Sequence, residues 1–204
     1  KKLIFEDGIE TIPDFVANTS MIEEVVIPAS VKTIGTNAFQ NCVNLKKVTF
    51  LSNGEGKTAL ATIRHYAFSG CSALVDFTIP ESVTWLDTGC LAGTAIKTAK
   101  IPEGCVTLGN GSFNSVFKGC AELTSVEILS QITSVGEGLF NGCVNLRTIA
   151  TKDKNEEGVI NLPDTVTNIS ASAFMQTAAT KAIIPAGITQ LTENDIFRDC
   201  ANLT

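Results

Sequence analysis

The chain holds one histidine, one tryptophan, one tyrosine and two methionines among 204 residues. A lone histidine, His65, excludes histidine-cluster zinc sites, and no Cys-x-x-Cys pair replaces them. The one conceivable catalytic pair sets His65 against the Cys71 thiol. The repeat described below places that thiol in the core and the imidazole in a turn, so no catalytic residue and no enzyme are expected. No glycine-rich phosphate loop follows a strand pattern, and no cofactor is expected. Fifteen basic residues face 21 acidic ones, a net charge of −6. A phosphate footprint needs clustered Lys and Arg, so nucleic acid is excluded as a partner. No apolar run reaches 18 residues and no basic amphipathic helix is visible, which excludes membrane insertion. There is no leader pattern at Lys1. The chain opens inside a repeat without an initiator Met. It therefore reads as a piece of a longer protein, and the missing leader does not argue for the cytosol.

What is present is repetition. AFQNCVNLKKVTF, residues 38–50, recurs in altered form to the C-terminus. Phe39-Gln40-Asn41-Cys42 returns as Phe68-Ser69-Gly70-Cys71, Phe117-Lys118-Gly119-Cys120, Phe140-Asn141-Gly142-Cys143 and Phe197-Arg198-Asp199-Cys200. Leu91-Ala92-Gly93-Thr94 and Phe174-Met175-Gln176-Thr177 keep the frame with the key residues exchanged. A period of about 23 residues indicates a solenoid. Residues 1–204 are expected to form one body of about eight coils, since each coil of a repeat array contacts only its neighbours. Residues 1–24 read as a degenerate first coil in which Phe15 or Val16 stands for the later Phe. The last coil is incomplete.

Within a coil, Val25-Val26-Ile27-Pro28 alternates as a strand ended by proline, which has no N–H for a ladder. Val31 and Ile34 form a second short segment, Gly35 turns the chain, and Ala38-Phe39 opens a helical turn. Leu45, Val48 and Phe50 then alternate into the next strand. The same frame predicts strands over 74–79, 96–101, 123–128, 146–150 and 180–184. The fold class is thus an α/β, β-dominated right-handed solenoid with short helical turns. Phe39, Phe68, Phe117, Phe140, Phe174 and Phe197 should stack as a core column. Cys42, Cys71, Thr94, Cys120, Cys143, Thr177 and Cys200 should form a second column. Threonine alternates there with cysteine, so the thiols are packing groups rather than disulfide partners. Cys90 and Cys105 fall at the positions of Ala38 and Val31, also core.

Three insertions break the period, at 52–57, 110–113 and 152–158. The first contains Asn-Gly, a turn signal. The first and third share a repeat position and should leave the same edge, where insertions of repeat proteins often line a binding face. Asp153, Asn155, Glu157 and Asp164, with Gly158 between, resemble the ligand spacing of a calcium loop. Flanking helices are missing and the twelfth position is Asp rather than Glu, so a polar hairpin turned by Gly158 is the preferred reading. Outward strand positions such as Glu24, Lys47, Thr49, Asp76, Lys100 and Glu127 are mixed in charge and free of aromatics. That disfavours a sugar platform on this face. Off the core, His65, Tyr66 and Trp85 lie on neighbouring coils and are candidate binding residues.

The run Leu-x-x-Val-x-Ile-Pro, Val-x-x-Ile-Gly, Ala-Phe-x-x-Cys resembles the BspA-type, or Treponema-type, leucine-rich repeat. The resemblance covers the whole chain and is clearest over 25–45 and 128–146. It departs at Leu51 and Leu129, in place of Pro, and at Thr94 and Thr177, in place of Cys. The resemblance implies a bacterial secreted or cell-surface protein. It also implies an adhesion or protein-interaction role, with a host or neighbouring-cell protein as partner. A carbohydrate-binding surface protein and a non-binding structural spacer are the alternatives. The family motif consists of core residues, so it assigns no functional residue. A monomer is expected.

Overall fold

The computed structural model describes residues 1–109 and 114–204; the second insertion, at 110–113, lies outside the described residues. In chain order the strands are β1 (Lys2–Ile4), β2 (Thr11–Ile12), β3 (Glu24–Ile27), β4 (Thr33–Ile34), β5 (Lys47–Phe50), β6 (Thr62–Ile63), β7 (Trp85–Leu86) and β8 (Thr98–Ile101). They continue as β9 (Thr107–Leu108), β10 (Ser125–Ile128), β11 (Ser134–Val135), β12 (Thr148–Thr151), β13 (Val159–Asn161), β14 (Asn168–Ile169) and β15 (Lys181–Ile183). Every strand pairing is parallel, coil upon coil. One face carries the longer strands, as the sheets β1-β3-β5 and β15-β13-β12-β10-β8. The other carries two-residue strands, as β2-β4-β6-β7-β9 and β11-β14.

Strand alternation sets what is inside. Val25, Ile27, Val126, Ile128 and Ile149 point inward from the long strands, and Ile12, Ile34, Ile63 and Val135 from the short ones, all buried. Between the sheets runs the phenylalanine column. Phe39 stacks on Phe68 at 5.2 Å, and Phe117, Phe140, Phe174 and Phe197 stack successively at 5.6, 5.8 and 5.3 Å. Leu91 interrupts the two runs, and there the edge of Phe77 packs on Phe68.

Three expectations are corrected. No helix occurs among the described residues; the segment before each Cys is a run of turns. Asn37, Phe39 and Asn41 donate their N–H groups to His65, Ala67 and Ser69 of the next coil at 2.9, 2.8 and 2.7 Å. Only the intervening Ala38, Gln40 and Cys42 bond back three residues, to Gly35, Asn37 and Phe39. An α-helix needs consecutive amides for its own i−4 carbonyls, and here alternate amides are drawn to the neighbouring coil. Two residues per coil, four apart, adopt left-handed φ: Asn37 and Asn41, Tyr66 and Gly70, Gly89 and Gly93, Ser115 and Gly119, Gly138 and Gly142. Glycine before Cys71, Cys120 and Cys143 suits that conformation because it lacks a Cβ.

In the first coil, Phe15 and Val16 are exposed. Ala17 takes the column position, its N–H bonded to Ala38 as that of Phe39 is to Ala67. Phe5 covers the column end instead, its edge 6.3 Å from Phe39. Finally, the segment 74–79 does not join the long-strand sheet; Asp76 makes a single bridge to Lys47.

Candidate functional site

The long-strand face carries two adjoining grooves. One encloses about 350 Å³ above β5, between Lys47, Thr49 and the first insertion at Ser52 and Gly56. The other encloses about 390 Å³ above β8, β10 and β12, between Phe77 and Asn155 of the third insertion. Both include Thr78, so they form one trough with an insertion at each end. Its floor presents Thr98, Lys100, Ser125, Glu127 and Thr148. Charges alternate across it. Lys47 pairs with Asp76 at 2.7 Å and Lys100 with Glu81 at 3.2 Å, all four side chains about half exposed or more, so each pair contributes little to stability.

Each insertion is shaped by local hydrogen bonds. The Asn53 side-chain oxygen accepts from the N–H groups of Glu55 at 2.9 Å and Lys57 at 3.0 Å, closing the first on itself. The third is more than a hairpin. Thr151 N–H bonds to the Lys154 carbonyl, the Gly158 N–H to the Thr148 hydroxyl, and the chain then returns as β13. That strand is interleaved between β12 and β15 and is buried along its length. The Asn161 side-chain nitrogen is buried without a hydrogen-bond partner; its residue lines a cavity of about 150 Å³ with Lys154, Asp164 and Ile183. The calcium-like residues are not assembled around one point. Lys154 bonds to the Asp164 carboxylate at 2.5 Å. Asp153 shares a small cleft with that pair, while Asn155 lines the large groove. Among the described residues no three His, Cys, Asp or Glu side chains group as metal ligands.

Inside the trough the sheet is broken. β8 ends its sheet, and among the described residues nothing pairs it to the segment 74–79 of the preceding coil. Elsewhere a residue just past the strand closes this junction: Leu51 N–H bonds to the Ile27 carbonyl at 2.8 Å and Leu129 N–H to Ile101 at 3.1 Å. Pro102 occupies that position after β8 and has no N–H to give Ile79. The two departures from the Pro pattern are therefore hydrogen-bond donors.

The aromatic candidates divide. His65 and Tyr66 are neighbours, with ring centroids 6.5 Å apart. His65 Nδ1 donates to the buried Asp87 carboxylate at 2.6 Å, and the second carboxylate oxygen accepts the Thr88 N–H at 2.8 Å. Tyr66 lies over Gly89, where an added Cβ would stand 2.4 Å from its ring. Trp85 projects instead from the short-strand face, between Thr62 and Thr107. No regular feature of the repeat announced Asp87; Gly35, Arg64 and Gly109 hold its position in other coils. Cys71 is buried and donates to the Phe39 carbonyl at 3.1 Å, so it does not face His65.

A family model for the BspA-type leucine-rich-repeat region matches in six copies, over residues 1–116, 55–157 and 114–204. This chain belongs to the BspA-type leucine-rich-repeat family. Its fold is similar to a leucine-rich-repeat protein of Bacteroides ovatus (TM-score 0.73, 20% identity), covering 100% of this chain and 62% of that one. It is also similar to the Treponema pallidum leucine-rich-repeat protein (TM-score 0.70, 25% identity, 86% of this chain and 75% of that one). A third likeness is to a leucine-rich cell surface protein of Faecalibacterium prausnitzii (TM-score 0.54, 21% identity, 100% and 74%). Among curated proteins none matches. Among the described residues no helix is long and apolar enough to cross a membrane.

In this BspA-type solenoid the cysteine column has a polar function beyond filling space. All seven cysteines are free thiols, six buried and Cys200 half-buried. Cys42, Cys71, Cys120, Cys143 and Cys200 donate to the carbonyls of Ala17, Phe39, Leu91, Phe117 and Phe174, one coil back, at 3.0–3.1 Å. Thr94 donates from the same column to Leu91 at 2.9 Å. The exchange of Cys for Thr thus keeps a hydroxyl or thiol at this position, while Thr94 bonds within its own coil and does not make the tie to the coil behind. Burial raises Cys90, Cys120 and Cys143 above the usual thiol range and lifts Cys105 to about 11.

Proposed function

We propose that this chain is an interaction module of a secreted or cell-surface bacterial protein, holding a protein partner in the trough on its long-strand face. The observation that carries the reading is that insertions interrupting the repeat stand at both ends of one trough. Residues 52–57 of the first insertion are all exposed and add nothing to the core, and the third insertion projects residues 152–157 before it returns as buried β13. Projecting loops on a rigid scaffold are where binding residues concentrate. The small, mixed-charge floor suits a protein surface better than a sugar ring, which favours aromatic platforms.

A second reading rests on Trp85 and the His65–Tyr66 pair, each partly exposed outside the trough. Such side chains are frequent binding anchors, and they are where a glycan would stack. Displayed on a non-adherent bacterium, the chain should confer attachment to cells or to immobilised extracellular proteins. Thr98→Arg with Thr148→Arg should abolish it, and Trp85→Ala with Tyr66→Ala should leave it intact. The reverse outcome moves the site to the aromatic surface, and a glycan array then tests carbohydrate. Attachment lost in neither variant, or never seen, favours a spacer.

A further inference from the structure

We propose that the trough binds its partner as an extended peptide, which adds a strand to the open edge of β8. This rests on the trough reading above and specifies the partner's backbone chemistry.

In a solenoid of parallel coils an internal strand should be paired on both sides, yet β8 is paired only with β10. The Lys97 and Ile101 carbonyls accept from Thr124 and Leu129 of the next coil. Alternation then turns the N–H and C=O groups of Thr98 and Lys100 the other way, towards the 74–79 segment. Among the described residues no backbone group of Phe77, Thr78 or Ile79 meets them. The open edge lies at the wall of the 390 Å³ groove. The coils on either side stay joined elsewhere. Gly109 N–H bonds to Leu86 at 2.6 Å near the short strands, and Leu91 N–H to Val116 at 3.1 Å in the turns. An unpaired strand edge is a template for another chain, and strand addition is a recurrent way of recognising extended peptides. The floor adds a preference. Opposite charges alternate across adjacent strands, Glu24 beside Lys47 and Lys100 beside Glu127. A strand on the free side of β8 would place an acidic residue opposite Lys100, replacing the exposed Glu81 as its partner.

Hydrogen exchange of the free protein gives the first test. The Thr98 and Lys100 amides should exchange at least about 100-fold faster than those of Ala99 and Ile101, because only the latter are held in a ladder. Equal protection would overturn the proposal. The second test selects ligands from a display library of random twelve-residue peptides. Selected peptides should carry an acidic residue and protect the Thr98 and Lys100 amides. Changing that residue to Lys should weaken binding up to about fivefold. Lys100→Ala removes the side chain but keeps the N–H, whereas Lys100→Pro removes both and leaves the bonds to β10 intact. Proline should weaken binding a further tenfold or so, the range of one or two backbone hydrogen bonds. Equal affinity of the two variants, protection elsewhere, or no peptide selected would each overturn strand addition. The trough would remain supported if Thr98→Arg with Thr148→Arg still abolished attachment.

Discussion

Replacing Phe140 by leucine isolates what ring stacking adds to the core column. Phe140 is fully buried and stacks on Phe117 and Phe174 at 5.6 and 5.8 Å, with interplanar angles of 6° and 16°. Deleting the ring with Phe140→Ala loses buried apolar area and leaves a cavity, a destabilisation of about 3–5 kcal/mol. Phe140→Leu keeps most of the aliphatic volume, and Leu91 shows that a coil can bury leucine fully at this position. What leucine forfeits is two ring pairs at about 0.5–1.5 kcal/mol each, so the expected loss is about 1–3 kcal/mol. Urea unfolding of the chain measures both variants, with an unchanged m-value as the control. The double variant with Phe174→Leu should show a coupling of about 0.5–1.5 kcal/mol. Pairing Phe140→Leu with Phe39→Leu should be additive, because Leu91 separates the two stacks. If Phe140→Leu lost as much as Phe140→Ala, or nothing, or if the distant pair coupled as strongly as the near one, the stacking account would be wrong.

Three further outcomes concern the buried polar groups. Native protein at pH 8 should show one rapidly reactive thiol, that of half-buried Cys200, with the rest reacting only on unfolding; three or more fast thiols in a reagent titration would contradict the buried column. Because Cys105 is raised from 9.0 to about 11 on folding, the folded state keeps a proton that the unfolded state has lost in that window. Stability should therefore be complete below pH 9 and fall as pH rises towards 11, and Cys105→Val should flatten the fall in melting temperature. Asn161→Leu, removing a buried nitrogen without a hydrogen-bond partner, should be neutral or stabilise by about 1 kcal/mol in the same urea assay. A loss above about 1 kcal/mol would show that the amide is satisfied in solution.

Much of the fold was legible because a repeat states each core position several times. Phe39 and Cys42 were identified as column residues by their copies, and the alternation of Val25 and Ile27 set the face of a strand. The turns were misread as helical because Ala38-Phe39 and Leu45 have helical spacing. The contrary signal was there, in Gly70, Gly119 and Gly142 three residues past each alanine-like position and in Asn37 and Asn41 four apart. Backbone bonds between coils leave no mark on single residues, so competition for the amides was invisible. The third insertion hid a strand because Ile160 and Leu162 repeat an alternation already assigned to Ile149 in that coil. The open edge of β8 needed two coincidences, proline at 102 and an unpaired segment in the coil before it. His65 lies in a turn as its repeat position implies, but its buried partner Asp87 sits where other coils carry Pro13, Gly35, Arg64, Gly109, Gly136 and Ser170, none of them acidic.

The broken sheet also has a mechanical consequence. At most junctions between coils, bending the rod away from its long-strand side would stretch a ladder of backbone hydrogen bonds. Between the fourth and fifth coils, among the described residues, that side holds none, while the short strands and the turns stay bonded. Compliance is thus concentrated at one joint. The molecule should flex there as two stiff arms about a hinge, and the trough that spans the hinge should change width as they move.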